Sequence, residues 1–135
     1  MTSGPRPKKA IVEAWTIAAR RGPVLDVSRQ RGFLCDLLLF PGTRVVFIRV
    51  GRSRTHACEP CEIERPFRGA IRELRAVPQD AATCREIHII APWGAWQYFR
   101  IDDDGIVEVR SDGTLMLQDK AGPGAGKANG ASLSR

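Results

Sequence analysis

The residues whose types and spacing could do chemistry fall into four groups. Arg44, Arg49, Arg52 and Arg54 crowd one stretch of chain, with Arg29 and Arg31 shortly before it. A guanidinium presents a planar fork of donors that matches phosphate oxygens, and an Arg-x-Arg pair on extended backbone sends both forks to one side. That spacing suits successive phosphates of a nucleic-acid backbone, and nothing in it suggests base reading. His56, Cys58 and Cys61 suggest zinc, but a closed site needs a fourth ligand and the Cys-x-x-Cys has no second pair at ribbon spacing. A lowered thiol pKa at a helix start would instead give Cys58 and Cys61 redox chemistry. The expectation is that Cys35, Cys58, Cys61 and Cys84 are reduced, inert thiols. Trp93, Trp96, Tyr98 and Phe99 gather on one hairpin. An exposed Trp96 face would be a stacking platform or a dimer surface, whereas a covered one would be core. Asp102, Asp103 and Asp104 precede Gly105 without the alternate-position ligands or closing glutamate of a calcium loop, and read as a turn.

The elements that must position these groups follow from periodicity. Ile11, Ala14, Trp15 and Ala18 recur at helical spacing, predicting a helix over 10–21 that stops at Gly22 and Pro23. Residues 33–40 and 43–50 read as two strands joined at Pro41-Gly42, a type II turn signal. Both strands are apolar at odd and even positions, so both faces of their sheet should be covered by helices. Ile63, Phe67, Ile71 and Leu74 predict a second amphipathic helix that Pro66 must start or kink and Pro78 closes. Segments 85–91, 95–101, 106–110 and 114–117 read as strands divided by turns. The predicted order is α-β-β-α-β-β with a short β tail: a single α/β domain over 10–119, with a mixed sheet and helices on both faces.

The chain has 135 residues, of which 43% are hydrophobic and 27% charged, ordinary values that exclude a disordered, collagenous or disulfide-scaffold chain. Segments 1–9 and 120–135 are polar or rich in Gly, Ala and Ser, and are expected to be disordered tails. No apolar run approaches the length of a membrane span and the first residues lack a signal core, so a cytoplasmic protein without a membrane partner is expected. Net charge is +6. Four of the 21 basic residues, Lys8, Lys9, Lys120 and Lys127, are lysines, and the other 17 are arginines. That balance is compatible with a polyanionic partner.

An acid on the first helix, an acid on the first strand of a hairpin, a basic loop, a helix and a strand follow one another over 10–90. That order resembles the restriction-endonuclease-like, or PD-(D/E)xK, nuclease superfamily, and archaeal Holliday-junction resolvases in particular. The runs Gly32-Phe33-Leu34-Cys35-Asp36 and Val46-Phe47-Ile48-Arg49-Val50-Gly51-Arg52-Ser53-Arg54 carry the resemblance. It implies a glutamate on the first helix, an aspartate on the next strand and a Glu-x-Lys pair on the following one. Those places fall on Glu13, Asp36, Arg49 and Gly51: the first two match and the last two do not.

Phosphodiester hydrolysis with Mg²⁺ needs two or three oxygen ligands together with a cation that stabilises the attacking hydroxide. A guanidinium cannot ligate a metal, and beside Asp36 it would satisfy the carboxylate a metal requires. The expectation is therefore a nuclease-like fold with a degraded, metal-free site in which Asp36, Glu13 and Arg49 are vestigial or structural. Nucleic acid, DNA ahead of RNA, would be bound through Arg29, Arg31, Arg44, Arg52 and Arg54. The first alternative is an active Mg²⁺-dependent endonuclease or junction resolvase with a migrated carboxylate. Asp36 would then act with Glu13 or with an acid of the following helix (Glu59, Glu62 or Glu64, with Glu62 in first place), and Arg52 or Arg54 would take the cationic role. The second alternative is a non-catalytic module that forms a homodimer through the aromatic hairpin.

Overall fold

The computed structural model describes residues 8–30, 32–55 and 58–116. Helix α1 (Lys8–Ala18) buries Ala10, Ile11, Ala14 and Ala18, small or branched side chains at helical spacing that let it lie close on a sheet. Six strands follow: β1 (Val24–Asp26), β2 (Leu37–Leu39), β3 (Val45–Arg52), β4 (Thr83–Ile90), β5 (Trp96–Ile101) and β6 (Ile106–Val109). Helices α2 (Pro60–Ile63) and α3 (Arg68–Arg75) form the crossover between β3 and β4.

The strands lie in sequence order and all neighbours are antiparallel except β3 and β4, which run parallel from Val45↔Thr83 to Arg52↔Ile90. This mixed sheet is covered on both faces, as the doubly apolar strands require. On one face α1 packs on Leu37, Leu39, Val46, Ile48 and Val50. On the other, Ile63, Ile71 and Leu74 pack on Ile87, Ile89, Phe99 and Ile101. Each such fully buried branched side chain contributes about 1.5–3 kcal/mol.

The expected hairpin is present, with Gly42 at φ +91° in the turn. Its first strand is shorter than the predicted 33–40: pairing begins at Leu37, and the carboxylate of Asp36 takes the next backbone donor of β3 in place of a further rung. Strand β1 was not expected. It has three residues, and only half-buried Val24 is not exposed, so it lacks the alternation that marks a strand. The predicted second helix is two helices. Pro66 falls in the break and Phe67 restarts the turn, its carbonyl accepting from the Ile71 amide. At the C-terminal side, the described part of the predicted strand 114–117, residues 114–116, holds one bridge, between Val109 and Leu115. Of the expected tails 1–9 and 120–135, Lys8 and Lys9 instead open helix α1, and the rest lies outside the described residues, as do Arg31 and His56.

Candidate functional site

Asp36 and Arg49 meet on the α3 face. Asp36 is buried, and its Oδ2 accepts from the Val50 amide at 2.8 Å. Arg49 Nε approaches the same oxygen at 3.7 Å, while Arg49 Nη1 donates to Glu73 of α3. One guanidinium thus lies between two carboxylates, and Glu73 is an acid the sequence reading did not single out. Its signal was faint: it flanks the buried stripe of Ile71 and Leu74, and which strand residue a helix flank meets is set by tertiary packing.

Gly51, where the resemblance implies a lysine, is closed from outside. A Cβ there would stand 2.5 Å from Cε1 of Phe67, so the ring occupies the room a side chain would need. Glu13 is exposed on α1, and α1 covers the opposite face from Arg49 and Glu73. Glu59 and Glu62 close a capping box on α2, where Glu62 Oε1 accepts from the Glu59 amide at 2.7 Å. Glu64 pairs with Arg75 at 3.7 Å.

These residues do not fit a divalent ion. Asp36 is engaged by an amide and a guanidinium, Glu73 holds the same guanidinium, and Phe67 fills the cation's place. Among the described residues no group of three or more His, Cys, Asp or Glu side chains is arranged to hold a metal.

The arginines divide by where they stand on the strands. Arg52 ends β3 and Arg54 follows two residues later. Both are exposed and, with Ser53, Thr55, Cys58, Glu62, Pro66 and Phe67, line a groove of about 570 Å³ at the carboxyl end of the parallel pair. Crevices at the carboxyl ends of parallel strands are the usual ligand sites of open α/β sheets. Among the described residues neither arginine is ion-paired, in contrast to Arg21, Arg49, Arg75, Arg85 and Arg100. Arg29 lies exposed in the loop that leaves β1, which runs in the same direction as β3, and so stands toward the same end of the sheet. Arg44 precedes β3 at the opposite end, roughly 26 Å from Arg52 at the usual strand rise. The structure therefore brings Arg52 and Arg54 together, leaves Arg29 on the same side and separates Arg44.

Two further charged clusters are internal. Arg85 on β4 is fully buried and donates to the carbonyls of Ile101 at 2.9 Å and Val77 at 2.8 Å, to Gln79 at 2.8 Å and to Asp103 at 2.8 Å. The acidic turn 102–104 thus holds arginines: Asp102 pairs with Arg100 while Asp103 pairs with Arg85. On the α1 face, Glu86 receives both terminal nitrogens of Arg21, at 2.9 and 3.1 Å, and lies 2.8 Å from His88 Nε2. Burial alone would raise the Glu86 pKa. Hydrogen bonds and charge from His88 and Arg21 outweigh it and hold the carboxyl at about 2. Tyr98 sets its ring edge-on to His88 at 4.8 Å and stacks with Trp96 at 6.5 Å. Trp96 in turn packs against the α1 core, so the aromatic face of the hairpin is half covered.

No disulfide joins the four cysteines, all of them among the described residues, and Cys61 is the exposed one. Cys58 Sγ lies 3.6 Å from Ser53 Oγ and 3.5 Å from Thr55 Oγ1 at the groove.

No family model matches the sequence, and neither does any curated protein. Among solved structures, the chain is similar to Archaeoglobus fulgidus Hjc, a Holliday junction resolvase from an archaeal hyperthermophile. The TM-score is 0.43 with 17% identity, covering 85% of this chain and 91% of that one. What this chain does has to be read from its own residues. No helix among the described residues is long and apolar enough to cross a membrane.

Proposed function

We propose that the protein binds nucleic acid through its phosphates at the groove beyond β3 and does not cleave it. The observation that carries this is the placement of Arg52 and Arg54, exposed and in no ion pair among the described residues, beside the hydroxyls of Ser53 and Thr55 in one groove. A cationic fork on a concave surface is held ready for an anion, whereas the interior arginines are neutralised where they stand. Arg29 extends the basic surface on the same side. DNA is the preferred polymer and the cytoplasm the preferred location. Asp36, Arg49 and Glu73 form a structural ion cluster in this reading, because admitting a metal beside the buried Asp36 would displace the buried guanidinium of Arg49 and leave it uncompensated.

Fluorescence anisotropy on a labelled DNA duplex and a single strand, across a range of salt, tests this. Binding should weaken steeply with salt, and replacing both Arg52 and Arg54 by alanine should lower the slope of log affinity against log salt by about 2. Arg44→Ala should leave it nearly unchanged. A nuclease assay with Mg²⁺ or Mn²⁺ should give no cleavage. Metal-dependent cleavage lost in Asp36→Ala, with the variant still folded by circular dichroism, would overturn the non-catalytic reading.

A further inference from the structure

The two walls of the groove differ in kind. One is the chain that leaves β3, with Arg52, Arg54 and the hydroxyls of Ser53 and Thr55. The other is α2 and the turn that continues it, with Glu62, Pro66 and Phe67. The Phe67 amide donates to the Ile63 carbonyl at 3.0 Å, so the backbone keeps a helical course there, and Glu62 and Pro66, four residues apart, fall on one side of it. Both are exposed, and Phe67 is half-buried. The capping box uses Oε1 of Glu62, which leaves Oε2 for another donor. The first wall is anchored at two points. The Ser53 amide donates to the Ile90 carbonyl at 2.9 Å, and Gln97 holds the amide and carbonyl of Cys58 at 2.9 and 3.0 Å. Such anchoring reduces the ordering cost of binding.

A track for phosphates alone would carry cations on both walls. A carboxylate on the second wall repels phosphate, and Pro66 and Phe67 offer it no donor. What suits both walls at once is a phosphate joined to a flat apolar group that carries its own hydrogen-bond donor, which describes a nucleotide with its base. The volume of about 570 Å³ lies within the range of clefts for one small ligand, about 300–1,000 Å³.

We infer that the groove takes one unpaired nucleotide of a strand, its phosphate on Arg52 and Arg54, its base against Pro66 and Phe67, and an amino group of that base donating to Glu62. The inference rests on the nucleic-acid reading above and narrows it. Bases inside a duplex are stacked on their neighbours, so an apolar wall reaches only a base that is out of the stack. Cytosine carries an amino donor where thymine carries a carbonyl acceptor, and a carboxylate, which can only accept, separates the two.

The test uses the full chain and four labelled probes of equal length: oligodeoxycytidylate, oligothymidylate, an abasic deoxyribose strand and a DNA duplex. Oligodeoxycytidylate should bind about tenfold more tightly than oligothymidylate, the scale of one base-edge contact. Oligothymidylate, which keeps the apolar contact, should still exceed the abasic strand, and the duplex should bind less tightly than oligodeoxycytidylate. Glu62→Gln keeps the capping box, which glutamine also closes, and sets an amide donor beside the acceptor. The preference for cytosine should then fall to within about twofold. Loss of one negative charge raises all four affinities together, so the ratio is the readout. Equal binding of the two pyrimidine strands, or a preference that survives Glu62→Gln, overturns the amino contact. An abasic strand or a duplex that binds as tightly as oligodeoxycytidylate overturns the unpaired base. Free deoxycytidine monophosphate that competes as well as the strand makes this a mononucleotide site and overturns the strand. Replacing both Arg52 and Arg54 by alanine should weaken all four probes. If it weakens none and binding does not depend on salt, the phosphate reading itself fails, whatever the ratio.

Discussion

The middle of the β3–β4 pair and its carboxyl end use the same side chain in opposite ways. In the middle, Arg49 and Arg85 point into the α3 face, each held by groups of the chain itself: Asp36 and Glu73 for one, backbone carbonyls, Gln79 and Asp103 for the other. At the end, Arg52 and Arg54 project into a groove lined by hydroxyls and carry no internal partner among the described residues. A count of arginines cannot separate these roles; the distance to the nearest acid can. The net charge of +6 therefore overstates how evenly the protein is basic, since its interior arginines are matched and the unmatched ones at this end crowd the edge of one groove.

The comparison breaks most severely if the interior set is not structural, and Arg85 tests that with the largest effect. Arg85→Ala removes the donor from the carbonyls of Val77 and Ile101 and from two side chains at once, in a fully buried site. The expected loss is about 3–5 kcal/mol in urea denaturation, the scale for dismantling a buried charged network from one side. Asp103 is mostly exposed, so Asp103→Asn should cost far less, and the difference assigns the stability to the buried carbonyls. A loss under 1 kcal/mol for Arg85→Ala would mean that the interior arginines are as dispensable as surface ones.

On the α1 face the same principle appears as a pH dependence. The Glu86 carboxyl has its pKa held at about 2 in the folded chain, against an ordinary value of 4.5. A depressed carboxyl stabilises the fold above its unfolded pKa, and that contribution is lost as pH falls through the folded one. Its full value, about 3 kcal/mol, should be present at neutral pH and drain away between about pH 4.5 and 2. Glu86→Gln should lower stability at pH 7 by a comparable amount and flatten the acid limb of the stability curve. Equal acid limbs in the two proteins would place the pH dependence on other carboxyls. His88 Nδ1 has no hydrogen-bond partner among the described residues, so His88→Asn, which shortens the reach to Glu86, should lose part of the same stabilisation.

Much of the fold was legible because both hairpin strands carry apolar residues at odd and even positions alike, as a doubly covered sheet requires, and because Pro41-Gly42 marks the turn. Strand β1 was not, since two of its three residues are exposed and its existence depends on pairing with Leu37, Leu38 and Leu39. At the site, the Asp36–Arg49 pair followed from the guanidinium standing where an acid was implied. Glu73 did not follow, because sequence gives the phase of a helix about its own axis but not its seating over a particular strand residue. Similarly, Arg-x-Arg spacing located Arg52 and Arg54, while Arg44 joined them on paper through nearness in sequence, although eight residues of extended chain carry it to the other end of the sheet.

The boundary between the two regions is Gly51, and it gives the smallest and sharpest of these effects. Arg49 on one side of it is internal, Arg52 on the other belongs to the groove, and Phe67 both covers Gly51 and lines the groove wall. The backbone of Gly51 has no positive φ, so a side chain there is opposed by the ring alone. Gly51→Ala should cost about 1–3 kcal/mol by overpacking. In a Phe67→Ala background, where the ring is gone, the same substitution should cost less than half as much, and the double-mutant cycle reads their coupling directly. If Gly51→Ala costs the same in both backgrounds, Phe67 is not what seals the interior. The place implied for a cation would then be open, and the separation of a closed ionic interior from an open phosphate groove would not hold at this point of the strand.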